Sequence, residues 1–268
     1  MVFVDSEDQV PYFQFEGLTQ FTAVRHAVFT RMGGISSDPF SSLNLSVSVA
    51  DEKDRVYANR RRAYGVFGRD TASVVHAHLV HEARVARVDH ENNGTWLGHT
   101  DGIVTNEPGC ALTMNYADCA PIFLYDPANH AIGLGHAGWK GAVSDLPGAM
   151  VRKMTAEFGS QPETLIAAIG PAIGPCCYEV GQPLIGQVHQ VFPDTPKLLI
   201  DAPNGQPQAN GGRPHFDLPQ ANQINLKRAG VDQIIMSELC TACRTDLFFS
   251  HRAEKGTTGR FGAIIILD

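Results

Sequence analysis

The chain has 268 residues, of which 43% are hydrophobic and 18% charged, with a formal net charge of −7. This describes a soluble globular protein with enough chain for a substantial core, as one large domain or two small ones. The acidic balance, with no basic run longer than Arg60-Arg61-Arg62, argues against nonspecific partners such as nucleic acid or anionic membrane.

The N-terminal MVFVDSEDQV carries acidic residues where a signal peptide needs positive charge. No stretch approaches the roughly 20 apolar residues of a spanning helix. A cytoplasmic location is therefore expected, with the six cysteines reduced. In chain order, strand-like runs fall at QFTAVRHAVFT, TASVVHAHLV, ARVARVD, CALTMNY, PIFLYD, HAIGLGH, TLIAAIG, VDQIIM and FGAIIIL. Helices are predicted at residues 51–68 and 141–159, the second broken or kinked at Pro147-Gly148. A third is predicted at residues 217–230, with Asp217 as N-cap and Gly230 as its stop. Loops rich in Gly, Ser, Asn or Pro are expected at 31–42, 89–102 and 201–215. The irregular alternation predicts a mixed α+β layered fold.

Two groups stand out chemically. Asp118-Cys119 closes CALTMNY and His136 closes HAIGLG, only 17 positions beyond Cys119. Gly133, Gly135 and Gly138 keep the backbone around His136 open to close approach, and Trp139 offers a wall. For a third partner, HAHLVHEARV supplies His76, His78 and His81. The first two share a strand face, while His81 lies at the strand's end, and position favours it. Two imidazoles and one thiolate suit zinc with an open fourth position, and copper accepts the same set. Metal-free nucleophilic catalysis by Cys119, with His136 or His81 as base and Asp118 as orienter, uses the same residues.

Arg60 falls on one helical stripe with Val56, Ala63 and Phe67. Its guanidinium is therefore expected to point inward, toward either phosphate or a structural carboxylate. Cys176-Cys177 and Cys240-Thr241-Ala242-Cys243 read as structural cysteines rather than a second metal site, because adjacent cysteines are awkward as two tetrahedral ligands.

YADCAPIFLYDP, GHAGWKG and IGPAIGPCCYEVG, with the tail CT…FFSHR…GTTGRFGAIIIL, resemble the bacterial laccase-domain, or polyphenol oxidase, family, whose members are now regarded as purine nucleoside phosphorylases. The similarity extends to FTRMGGISSDPFSSLNL and DEKDRVYANRRR, nearly the whole chain. It implies a single domain spanning 1–268, folded as an α/β/β/α sandwich with mixed sheets. Within the family's Q-V-H-G-x-x-V stretch it selects His81 as the histidine ligand, beside Cys119 and His136. Leu79 and Glu82 replace the usual glutamine and glycine. The resemblance further implies zinc, with copper as the alternative of the older family name. It implies purine nucleoside and phosphate as small-molecule partners, and adenosine deamination as a further activity. It places Arg60 in the site and leaves Asn44 as a polar candidate for the same pocket.

Overall fold

The computed structural model describes residues 1–6, 9–201 and 212–268. One sheet contains β1 (Val2–Val4), β2 (Tyr12–Gln14), β3 (Val24–Phe29), β8 (Ala111–Tyr116) and β15 (Phe261–Leu267). The second contains β5 (Val85–Arg87), β7 (Gly102–Thr105), β9 (Ala120–Asp126), β10 (Ala131–Ala137), β11 (Ile166–Ile169) and β14 (Gln233–Met236). Two short pairs, β4 (His76–Ala77) with β6 (Trp96–Leu97) and β12 (Leu199–Ile200) with β13 (His215–Phe216), lie outside these sheets. The helices are α1 (Glu16–Thr19), α2 (Lys53–Gly65), α3 (Trp139–Val143), α4 (Leu146–Phe158), α5 (Leu184–Val191) and α6 (Leu218–Arg228).

The first sheet runs β1-β2-β3-β15-β8 and is antiparallel throughout. The second runs β14-β11-β9-β10-β7-β5, with parallel pairs only at its two edges. Mixed pairing thus belongs to one sheet alone. The period of two explains the layering. On β15, Phe261, Ala263 and Ile265 join Phe123, Ile132 and Leu134 of the other sheet in one buried core. Its alternate residues Ile264 and Ile266 pack outward with Ala63 and Tyr64 of α2. On β9, Ile122 and Leu124 face outward onto Leu146, Met150 and Met154 of α4 and Leu226 of α6. Strands buried on both faces read as continuous apolar runs, which is why FGAIIIL and PIFLYD are so apolar. The layers are helix, sheet, sheet, helix. Among the described residues no helix is long and apolar enough to cross a membrane.

Several local expectations are corrected. TASVVHAHLV forms only the two-residue β4, so its histidines stand on extended chain rather than on a long strand. The break in the 141–159 helix precedes Pro147: Asp145 takes a left-handed φ of 59°, accepts the Gly148 N–H at 3.1 Å and caps α4, with proline in the first turn. A proline there meets a backbone position with no intrahelical bond to lose. The 89–102 loop contains β6 and a short 3-10 turn. Of the 201–215 loop, residues 202–211 lie outside the described residues.

Candidate metal centre and substrate pocket

The chain crosses from the first sheet to the second between β8 and β9, through Ala117-Asp118-Cys119. Asp118 makes that turn at a left-handed φ of 87°. Its Oδ1 accepts the Thr241 and Ser250 hydroxyls, each at 2.7 Å, and its Oδ2 accepts the Arg252 N–H at 2.7 Å. Three donors from two distant segments fix the crossover and so fix Cys119. Asp118 borders the pocket, yet its oxygens are already engaged.

His136 comes from the end of β10, opposite Pro121 in the register with β9. His81 comes from the loop after β4, with a left-handed φ of 60°. Its backbone is held there because Asp101 accepts the N–H groups of Val80, His81 and Glu82 at 3.2, 2.9 and 2.9 Å. The wrapping around a carboxylate, not a strand end, positions His81. The same Asp101, wholly buried, places Oδ1 3.6 Å from His136 Nδ1, an ion-pair distance. Asp101 escapes a reading of the sequence because it lies in a polar loop with no periodicity.

The three donor atoms of His81, Cys119 and His136 lie within 4.8 Å of one another. Tetrahedral coordination with zinc bond lengths of about 2.0–2.3 Å needs donors roughly 3.5 Å apart, so the set fits a metal ion with little adjustment. Gly138 makes room for it: a Cβ at that position would lie 2.6 Å from Cys119 Sγ. Nδ1 of His136 has no hydrogen-bond partner among the described residues and faces Asp101, which leaves the other ring nitrogen for the Cys119 side. A carboxylate behind a ligating histidine is a common way to orient the ring.

Electrostatics reinforce the grouping. Burial alone would raise the Cys119 thiol, but the facing His136 and His81 bring it down to about 6. Burial would lower His136, but Cys119 and Asp101 raise it to about 9. Burial also opposes ionisation of Asp101, yet His136 and the loop N–H groups hold it below the usual carboxylate range. Without metal, these shifts favour a thiolate facing an imidazolium.

A cavity of about 600 Å³ opens onto this cluster, within the range of small-molecule sites. One wall is His76 stacked on Trp96, centroids 4.5 Å apart and planes 8° from parallel, with His78 tilted 5.0 Å from the same indole. Burial, then the charge of Arg60, lower His76 to about 3, so it is neutral. Tyr178, Trp139 and Arg260 line other parts. Arg260 donates Nη1 to the carbonyls of Thr258 and Gly259 at 2.9 and 2.8 Å, which aims its guanidinium.

Arg60 is buried on the stripe with Val56 and Ala63. It lies 4.9 Å from the Trp96 ring centre, behind the wall rather than on it. Nε donates to the Leu45 carbonyl at 2.8 Å, and Nη2 has no partner among the described residues. Asn44 is not on the cavity. It binds the Ser46 carbonyl and Asp51 through its amide nitrogen and the N–H groups of Ser46 and Arg260 through its oxygen. That network anchors the backbone of Arg260, a pocket residue the sequence did not single out.

The cysteines read from the sequence as structural, Cys176, Cys177, Cys240 and Cys243, are brought together by the fold. Their Sγ atoms also lie within 4.8 Å of one another, and Cys176 and Cys243 are exposed.

The chain is similar to known proteins over most of its length. The model of the family described as multi-copper polyphenol oxidoreductase laccase matches residues 25–268. Purine nucleoside phosphorylase YlmD of Geobacillus stearothermophilus is 35% identical over 258 residues, 93% of this chain and 92% of that protein. Mouse purine nucleoside phosphorylase LACC1 is 34% identical over 84% of this chain and 51% of its own length. The crystal structure of Bacillus licheniformis hypothetical protein YfiH superposes with a TM-score of 0.89 at 33% identity, covering 99% of each chain. The chain belongs to the multi-copper polyphenol oxidoreductase laccase family.

Proposed function

We propose that the protein is a zinc-dependent purine nucleoside phosphorylase, cleaving inosine, adenosine or a methylthio analogue with phosphate to free base and ribose-1-phosphate. The observation that carries this reading is the His81, Cys119 and His136 donor set opening onto a cavity with an aromatic wall and a guanidinium. The relatives named purine nucleoside phosphorylase support it. In the reaction a phosphate oxygen bonds to the ribose anomeric carbon while the bond to the purine nitrogen breaks. The electron pair leaves with the base, through an oxocarbenium-like transition state.

His81, Cys119 and His136 would hold the zinc ion, which supplies Lewis acidity at an open position. Trp96 and His76 offer flat apolar faces against which a purine stacks. Arg260 reaches the cavity with a partly free guanidinium suited to phosphate. Arg60, which has no carboxylate partner among the described residues, adds positive charge behind the wall. Asp118 acts as a positioning residue for Cys119 rather than as a proton carrier, because its oxygens already accept three hydrogen bonds. Adenosine deamination would draw on the same open metal position.

Copper is accepted by the same three donors, but multicopper oxidation needs several centres rich in histidine. Among the described residues one imidazole-bearing donor group is present. The two readings separate in a phosphate titration of the zinc-loaded protein with inosine. Saturable dependence on phosphate, with a phosphate KM raised about tenfold or more in Arg260→Gln, supports phosphorolysis. Turnover that ignores phosphate but consumes oxygen with a phenol would replace it.

A further inference from the structure

Outside the pocket, four cysteines form a second group among the described residues that could hold a metal ion. Cys176 and Cys177 lie just beyond β11, and Cys240 and Cys243 just beyond β14. These two strands pair in parallel, and the pairing continues past them: Ala172 bridges Cys240, and Thr241 donates its N–H to the Ala172 carbonyl at 3.1 Å. Two adjacent strand ends therefore deliver two thiols each to one point.

The adjacency of Cys176 and Cys177 is resolved by a tight turn. The N–H groups of Cys177 and Tyr178 both donate to the Gly174 carbonyl, at 3.0 and 3.1 Å. In such a coiled turn successive side chains diverge by much less than the half-turn of a strand, so both can face the same side. Cys243 Sγ is 3.4 Å from Cys176 Sγ and 3.4 Å from Cys177 Sγ. Sulfurs around a tetrahedral zinc with bonds of about 2.3 Å stand roughly 3.8 Å apart. A disulfide would need about 2.05 Å, and all four cysteines are free. The Gly174 N–H points at Cys240 Sγ from 3.2 Å, a backbone donor that suits a sulfur bearing negative charge.

We infer that Cys176, Cys177, Cys240 and Cys243 form a second metal site, a closed four-thiolate site for a thiophilic divalent cation of the zinc type. The donor set differs in kind from the pocket's: four sulfurs leave no open position, which marks a structural site rather than a catalytic one. Its consequence reaches the pocket through the segments it ties. Ile173 and Tyr178, on either side of the first thiol pair, line the cavity, and Thr241, within the second, donates to Asp118. The site clamps one wall of the pocket and the residue that fixes Cys119.

The test counts metal in the full chain purified in zinc under reducing conditions. The proposal expects about two zinc ions per chain, and about one in the triple variant His81→Ala, Cys119→Ala, His136→Ala. Cobalt loaded into that variant gives the intense visible absorption and sulfur-to-metal charge transfer of a tetrathiolate. Exposed Cys176 and Cys243 resist alkylation until a chelator is added. Cys240→Ser with Cys243→Ser removes the second ion and lowers Tm while the first remains. If the double variant does not fold, the cobalt spectrum and the alkylation protection still decide. A triple variant that retains no metal and whose thiols alkylate freely, or a disulfide found within the four, overturns it. The outcome is independent of the phosphorolysis assay.

Discussion

Without metal, the opposite shifts of Cys119, lowered to about 6, and His136, raised to about 9, favour a proton on the imidazole rather than on the sulfur between those values. A metal ion needs both groups unprotonated. Its binding thus displaces one proton from His136 in that window, and two below it. Metal affinity is expected to rise about tenfold per pH unit from 6 to 9 and to level off above, as measured by competition with a chelator of known affinity. Asp101 lies behind His136 and would support a bound metal without ligating it. Asp101→Asn removes the charge facing His136 and weakens the cradle of three N–H groups around His81. A loss of metal affinity of about 10–100-fold is expected from the same titration. At this scale Cys119 and His136 were legible because rare residue types close apolar runs. For His81, position after the alternating His76 and His78 favoured it, and the family resemblance selected it among the three neighbouring histidines. Asp101 and Arg260 were not legible, because each acts through contacts distant in sequence.

Elements set how closely the ligands approach. The Gly138 position that begins α3 passes directly over Cys119, so Gly138→Ala drives a methyl group into its Sγ. The protein should fold with a Tm near that of the parent but bind zinc at least about tenfold more weakly, by calorimetry of the apo form. An alanine variant with unchanged metal affinity would show that the turn relaxes. The helices were readable where caps and stops are explicit: Asp217 accepts the Gln220 N–H at 3.0 Å and Gly230 adopts a φ of 92° beyond α6. Strands such as β8, β9 and β15 were readable from their apolar runs. β1, β7 and β13 are short and are specified by pairing with neighbours rather than by their own residues. The convergence of the four cysteines was not legible, because a turn rather than a strand separates Cys176 from Cys177.

Across the whole molecule, the two-sheet core contains buried polar groups whose protonation couples to folding. His26 on β3 is wholly buried between the sheets and accepts the Phe15 N–H at 2.8 Å through Nε2, so it must stay neutral there. Burial lowers its pKa to about 4. Between about pH 6.5 and 4 the unfolded chain binds a proton that the folded chain does not, so stability falls as pH drops through that window. His26 alone accounts for about 3 kcal/mol of that loss, and buried His76 acts in the same direction. Urea denaturation from pH 7 to 4 should show the decline, with a shallower slope in His26→Leu.

The layered sandwich brings the β8–β9 crossover, the end of β10 and the His81 loop to one seam, and the chemistry assigned to that seam is phosphorolysis. The direct measurement is to incubate metal-defined protein with inosine or adenosine, with and without phosphate, and to identify the sugar product. Free base and ribose-1-phosphate are expected only when phosphate is present, and none from Cys119→Ala. No phosphate-dependent product from any purine nucleoside, with full metal occupancy, would contradict it.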